Sequence, residues 1–203
     1  MIESPTDRNT AMLRILVLAA FTTLAAPVAA SPLDDFWAKL QTLCGNAYAG
    51  ELILEPDGEP GFADQDLVMH VRECTPDRIR IPFVVGEDRS RTWVLTRVTV
   101  DGDPRLELKH DHRHEDGSED DVTMYGGTAT NTGTATQQVF PADQYTRELI
   151  EPAHANVWRI ELAPGQRFGY HLRRLGTERV FRVDFDLAET VDPPEAPWGW
   201  GVP

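Results

Sequence analysis

Apolar and polar positions change rhythm once along this chain, and the change divides it. Leu33, Phe36, Trp37, Leu40 and Leu43 recur at steps of three and four, the spacing of one stripe on a helix. Ser31 stands where an N-cap belongs and Pro32 where the first turn tolerates proline. Asp34 and Asp35 fall where the helix dipole favours acids, and Gly45 supplies the stop. A short helix packed on the rest of the chain is therefore expected over residues 31–45.

From residue 47 to 187 the period becomes two, with turn residues at short intervals. Leu52 and Leu54 precede a turn at Pro56, Asp57 and Gly58. Leu67, Met69 and Val71 share one face, and Ile79, Ile81 and Phe83 another, where Pro82 predicts an edge or a bulge. A β-branched run over 92–100 closes on the hairpin pair Asp101–Gly102 and leads into 106–114. A short strand is expected at 122–125. Threonines at 128, 130, 132, 134 and 136 around Asn131 and Gly133 predict a narrow hairpin over 126–138. The trios Trp158, Ile160, Leu162 and Phe168, Tyr170, Leu172, and then Phe181, Val183, Phe185 and Leu187, complete the series. That makes about nine to eleven strands, the number of an antiparallel up-and-down barrel or a large sandwich. Closure into a barrel leaves no unpaired edge and is the expectation for 46–190.

The ends add compartment. Arg8 and Arg14 precede an apolar stretch, 15–26, too short to span a bilayer, followed by Pro27, Val28, Ala29, Ala30 and Ser31. Residues 1–30 thus read as a signal peptide cut after Ala30, with Met12 as an alternative start, and no cysteine lies at the cut for a lipid anchor. The mature protein is expected to be periplasmic or secreted. Cys44 and Cys74 would enter an oxidising compartment, where a bridge is expected and would stabilise by about 3–4 kcal/mol; two separate buried thiols are the alternative. Residues 191–203, with Pro193, Pro194, Pro197, Pro203, Trp198 and Trp200, are expected to be extended, either docked on the domain or offered to a partner.

Charge and composition exclude several classes. A net charge of -14 disfavours nucleic acid and anionic membranes as partners. Lys39 and Lys109 are the only lysines and Ser31, Ser90 and Ser118 the only serines after residue 30, with no nucleophile elbow. Schiff-base and serine-hydrolase chemistry have little to stand on.

His110, His112 and His114 alternate with Lys109, Asp111 and Arg113 and continue the face of Leu106 and Leu108. Three imidazoles therefore project toward the apolar side, as ligand contacts lining an interior or its mouth. Neighbours in such a series lie about 6.5–7 Å apart, close enough for two rings to share a divalent metal. Glu115, Asp116, Glu119, Asp120 and Asp121 follow, and His154 and His171 come later. The alternative is a solvated loop about Asp116–Gly117 with hydrogen-bonded histidines and no metal. Arg89, Arg91 and Trp93 are candidate anion or ligand contacts at a barrel mouth, or members of a charged turn.

Two resemblances bear on these residues. His112, His114, Glu119 and Gly126 resemble the later part of the first cupin motif, implying a cupin-like double-stranded barrel with His112, His114 and Glu119 on a metal. Leu106 replaces its leading glycine, and the second motif has only a faint echo at Pro141. The helix stripe, then Gly45, Tyr48, Gly50 and Glu51, then the run of strands, resemble calycin-like barrels such as lipocalins and fatty-acid-binding proteins. Segments 86–95 and 109–117 are also similar to uncharacterised exported bacterial proteins, which transfers no role. The leading expectation is an exported, non-catalytic barrel holding a small ligand, with a metal as candidate cofactor. A cupin-like metal enzyme and a structural or interaction protein are the alternatives.

Overall fold

The computed structural model describes Met1 and residues 30–55 and 61–201. Most of the expected signal segment and the turn at Pro56, Asp57 and Gly58 lie outside these residues. Helix α1 (Pro32–Gln41) begins as the sequence requires: Ser31 Oγ accepts from the Asp34 N–H (3.1 Å) and the Asp34 carboxylate reaches back to the Ser31 N–H, a reciprocal capping box. Its stripe of Leu33, Phe36, Trp37 and Leu40 is buried.

Among the described residues eleven strands follow: β1 (Ala47–Leu54), β2 (Leu67–His70), β3 (Glu73–Cys74), β4 (Arg78–Val85), β5 (Asp88–Val100), β6 (Asp103–His112), β7 (Tyr125–Thr128), β8 (Gln137–Pro141), β9 (Asn156–Ala163), β10 (Arg167–Arg174) and β11 (Val180–Asp186). Between β8 and β9 lie α2 (Gln144–Leu149) and a 3-10 turn (Glu151–Ala155). The strands form one antiparallel sheet in the order β7-β6-β5-β4-β2-β1-β11-β10-β9-β8, with β3 on β4. The sheet curls into a nearly closed barrel around one apolar core. No described helix is long and apolar enough to cross a membrane.

The two ends of the path, β7 and β8, meet at a seam with no regular ladder. The expected narrow hairpin over 126–138 does not form: β7 pairs with β6, β8 with β9, and the threonine-rich stretch is a loop. Gly127 makes the seam possible, since a Cβ there would lie 1.8 Å from the Pro141 carbonyl oxygen of β8, while one at Gly126 would lie 1.9 Å from the Leu108 carbonyl oxygen of β6. Thr146 of α2 then bonds both polar groups of Gly126, accepting from its N–H (2.7 Å) and donating to its carbonyl (2.8 Å). The Asp143 N–H donates to the same carbonyl (2.9 Å), and the Lys109 ammonium pairs with the Asp143 carboxylate.

Pro82 lies inside β4 rather than on an edge, paired with Thr92, while the register shift falls between Phe83 and Val85. The Arg80 carbonyl faces β2 and β3, accepting from the Arg72 N–H (3.1 Å), so by the two-residue period the Pro82 nitrogen faces them too. It meets the place where β2 stops and Val71 turns its N–H to Asn46 (3.0 Å), so the missing donor costs no ladder bond.

α1 shuts one end of the barrel. The Trp37 indole N–H donates to the Pro76 carbonyl (3.0 Å), the Lys39 ammonium to that of Ala135 (2.8 Å), and Arg97 pairs with Asp34. The disulfide Cys44–Cys74 (Cα–Cα 6.2 Å) ties the segment after α1 to β3. The tail docks on its own domain: Val191 bridges Ala47, the Trp198 N–H donates to the Arg89 carbonyl (3.2 Å), and the Arg80 guanidinium lies 4.1 Å over the Trp200 ring.

Candidate functional site

Antiparallel pairing puts the starts of β5, β7, β9 and β11 beside the ends of β4, β6 and β10, at the mouth opposite α1. There the inward side chains stop short of filling the barrel and leave a cavity of about 240 Å³. Register sets its centre: His110 of β6 is opposite Trp93 of β5 on one side and Tyr125 of β7 on the other. Trp158, Tyr170, Phe181 and the buried Ala153 also line it, with half-buried Phe62 and Ile150 closer to solvent.

The wall is built of stacked rings. Trp93 lies 4.3 Å from the Tyr170 ring and 4.9 Å from Phe83, each inclined by 17°. Tyr125 stacks on His110 at 4.6 Å and 9°.

Hydrogen bonds fix the state of His110. A backbone carbonyl can only accept, so the contact of Nδ1 with the Tyr125 carbonyl (3.0 Å) places the ring proton on Nδ1. Nε2 then accepts from the Tyr170 hydroxyl (2.7 Å). Both nitrogens are engaged, and burial pushes the ring pKa down to about 3, so His110 is neutral and offers no lone pair to a ligand. His112 is half-buried, with Nε2 3.1 Å from the Tyr125 hydroxyl. Burial and then the Arg91 charge lower it to about 4. Burial pushes the Tyr125 phenol up to about 12 and raises Tyr170 well above its ordinary value.

His114 departs from the expected face. β6 ends at His112; the His114 N–H bonds the Ser118 carbonyl (2.9 Å), its own carbonyl accepts from Gly117 (2.9 Å), and the residue is exposed. The alternation stops because the chain must turn into the loop that leads to β7. Glu119 is also exposed and bonds Arg113 (3.3 Å), which holds Asp111 on the outer face. His112, His114 and Glu119 are thus not brought together. Among the described residues no group of three or more His, Cys, Asp or Glu is placed to hold a metal ion. His154 is exposed, bonded to the Glu151 carbonyl (2.7 Å), and His171 lies among Arg159 and Glu161.

Of the other candidates, Trp93 and Arg91 line the cavity. Arg91 pairs with Asp88 and lies 5.6 Å over the Phe62 ring. Arg89 turns to the tail, pairing with Glu195 and donating to the Ala196 carbonyl (3.2 Å).

Sequence reasoning missed Arg174, Arg179 and Asn156, which also line the cavity. Arg174 Nε donates to the Asn156 side-chain oxygen (2.9 Å), and burial holds Arg179 below the ordinary arginine value. A signal for them was present. Arg174 is the next inward position after Tyr170 and Leu172, Arg179 precedes inward Phe181 by two, and Arg91 precedes Trp93 by two. Arg174 and Arg179 stand at the mouth end of inward lines otherwise made of Phe, Tyr, Leu and Val, whereas the line that Arg91 begins runs on through Trp93 and Leu95 to Arg97. Among the described residues no carboxylate lines the cavity, although the chain has 33 acids against 19 bases.

No protein-family model, no curated protein and no solved structure matches the chain.

Proposed function

We propose that this protein is an exported, calycin-like barrel that binds a small molecule without transforming it. The cavity at the open mouth carries this reading: an aromatic-walled space with a few convergent polar groups, on a scaffold whose other end is shut, is the usual form of a small-ligand site. Export is supported by the apolar segment and small residues before Ser31 and by the disulfide, which persists in oxidising compartments. Nucleic acid and, after signal cleavage, membrane remain outside the proposed partners, given the charge of -14. A cupin-like metal enzyme is not carried forward, because His114 and Glu119 are exposed and no described group of three or more His, Cys, Asp or Glu is placed to hold a metal ion.

Protein purified from its native compartment tests the reading. Solvent extraction and mass spectrometry should recover a small molecule at near-stoichiometric yield. Adding it back to stripped protein should change the fluorescence of Trp93 and Trp158, and a folded Leu172→Trp variant, with the cavity narrowed, should not rebind it. Recovery of no molecule, with no fluorescence response to any apolar probe, would remove the proposal.

A further inference from the structure

We propose that the C-terminal tail, residues 193–201, is a releasable clasp on one lip of the cavity mouth, and that its release speeds the passage of a ligand in both directions; this rests on the ligand-binding reading above. Three observations carry it.

The first is where the tail is fastened. Arg91 and His112 stand opposite each other across the β5–β6 ladder, and both line the cavity. Just beyond them the two chains continue as a lip: the Arg113 N–H donates to the Ser90 carbonyl (2.9 Å), and the chain then turns as the Gly117 N–H donates to the His114 carbonyl (2.9 Å). The tail grips both sides of this lip. On the β5 side the Trp198 N–H donates to the Arg89 carbonyl (3.2 Å), while the Arg89 guanidinium pairs with Glu195 and donates to the Ala196 carbonyl (3.2 Å). On the β6 side a Cβ on Gly199 would stand 2.6 Å from the Gly117 carbonyl oxygen, and one on Gly117 would stand 2.7 Å from the Gly199 Cα. Two glycines of positive φ, 86° at Gly117 and 78° at Gly199, therefore meet backbone to backbone, a contact that a side chain at either position would block.

The second is how the tail is held. No strand forms within 193–201, and Pro193, Pro194 and Pro197 have no N–H to give to a ladder. Beyond the lip the Arg80 guanidinium lies 4.1 Å over the Trp200 ring, and the Arg72 guanidinium donates to the Gly201 carbonyl (2.6 Å). Yet Nε of Arg72, Nε of Arg80 and Nε1 of Trp198 are buried without a hydrogen-bond partner. Docking strips these three donors of water and gives none of them an acceptor, a cost that release recovers.

The third is what the tail leaves untouched. Among the described residues no part of the tail lines the cavity. A ligand keeps its contacts whether the tail is docked or lifted, so the clasp acts on the barrier to entry and exit rather than on affinity. Local opening of a lip is the step that such a clasp makes rarer.

Two measurements on the mature protein and its Gly199→Ala variant test this, with Gly201→Ala as control because a Cβ there meets nothing within 4 Å. Amide exchange at Arg113, His114 and Gly117 should rise roughly fivefold or more in Gly199→Ala. Stopped-flow fluorescence with the neutral apolar probe N-phenyl-1-naphthylamine should show association and dissociation each faster by about threefold or more, with Kd kept within about twofold. Gly201→Ala should change neither, and Glu195→Gln, read in the same way, serves if Gly199→Ala fails to fold. Unchanged exchange at the lip overturns the clasp. Faster exchange at the lip with unchanged probe rates overturns the gating while the ligand-binding reading stands. A probe that does not bind the parent protein overturns the gating together with the reading on which it rests.

Discussion

The Tyr170 hydroxyl lies 2.7 Å from Nε2 of His110 and is its donor, because the other ring nitrogen already gives its proton to the Tyr125 carbonyl. A tyrosine on β10 and a histidine on β6 are thereby joined across the barrel interior, next to the cavity. Removing the hydroxyl leaves a buried acceptor with nothing to accept. Tyr170→Phe is expected to cost about 1–3 kcal/mol in urea unfolding, the desolvation penalty of one orphaned buried group. A cost near zero would mean that His110 carries its proton on the other nitrogen or meets water there. Nitrogen NMR of the ring should report protonated Nδ1 in the parent protein.

The same burial makes stability depend on pH in a definite direction. His110 and His112 hold their pKa values at about 3 and about 4 in the folded protein, against 6.5 for the free side chain. Folded-state values are depressed, so the unfolded chain takes up protons first: stability is fully present above pH 6.5 and is lost as pH falls toward 4 and then 3. Each of the two rings contributes a slope of about 1.4 kcal/mol per pH unit within its window. His70 and His171, also lowered first by burial, act in the same direction. The lowered carboxylates Asp143 and Asp184 start from 3.8 and come in below the range 4.5–6.5. Denaturation midpoints across that range should fall with pH, and His112→Asn should flatten the slope by about one proton. An unchanged slope would place the His112 ring in solvent.

How much of this could be read from the chain follows from which residues obey a simple period. The inward lines through Trp93, Leu106 to His112, Trp158 to Leu162, Phe168 to Leu172 and Phe181 to Leu187 alternate cleanly, and the barrel and its pocket-facing histidines follow from them. The helix was legible because its cap, proline and stripe all agree. Illegible parts are those where a tertiary partner replaces a period. His114 has the right spacing, but the chain has already left the sheet, and the bond from its N–H to Ser118 belongs to the loop. Threonine spacing over 128–136 imitated a strand, while the paired backbone runs through Gly126 and Gly127, which the alternation pattern treats as breaks. Arg174 and Arg179 were visible only to a reading that follows each inward line to its last position, since arginine at a strand end usually belongs to solvent.

Barrel closure depends on a side chain standing in for a strand. Thr146, fully buried, accepts from the Gly126 N–H and donates to the Gly126 carbonyl, the two groups a ladder from β8 would have satisfied. Valine has the same shape without the hydroxyl, so Thr146→Val keeps the packing and orphans the N–H outright. The carbonyl keeps its bond from the Asp143 N–H (2.9 Å), which confines the loss mainly to one donor. A destabilisation of about 1–3 kcal/mol is expected in urea unfolding. Because the seam joins the two ends of the sheet path, amide exchange should rise first at Tyr125–Thr128 and Gln137–Pro141, leaving β4, β5 and β10 protected. Uniform loss of protection over the whole sheet would show that the seam opens only with global unfolding, and protection unchanged at Gly126 would show that closure relies on Asp143 and Lys109 instead.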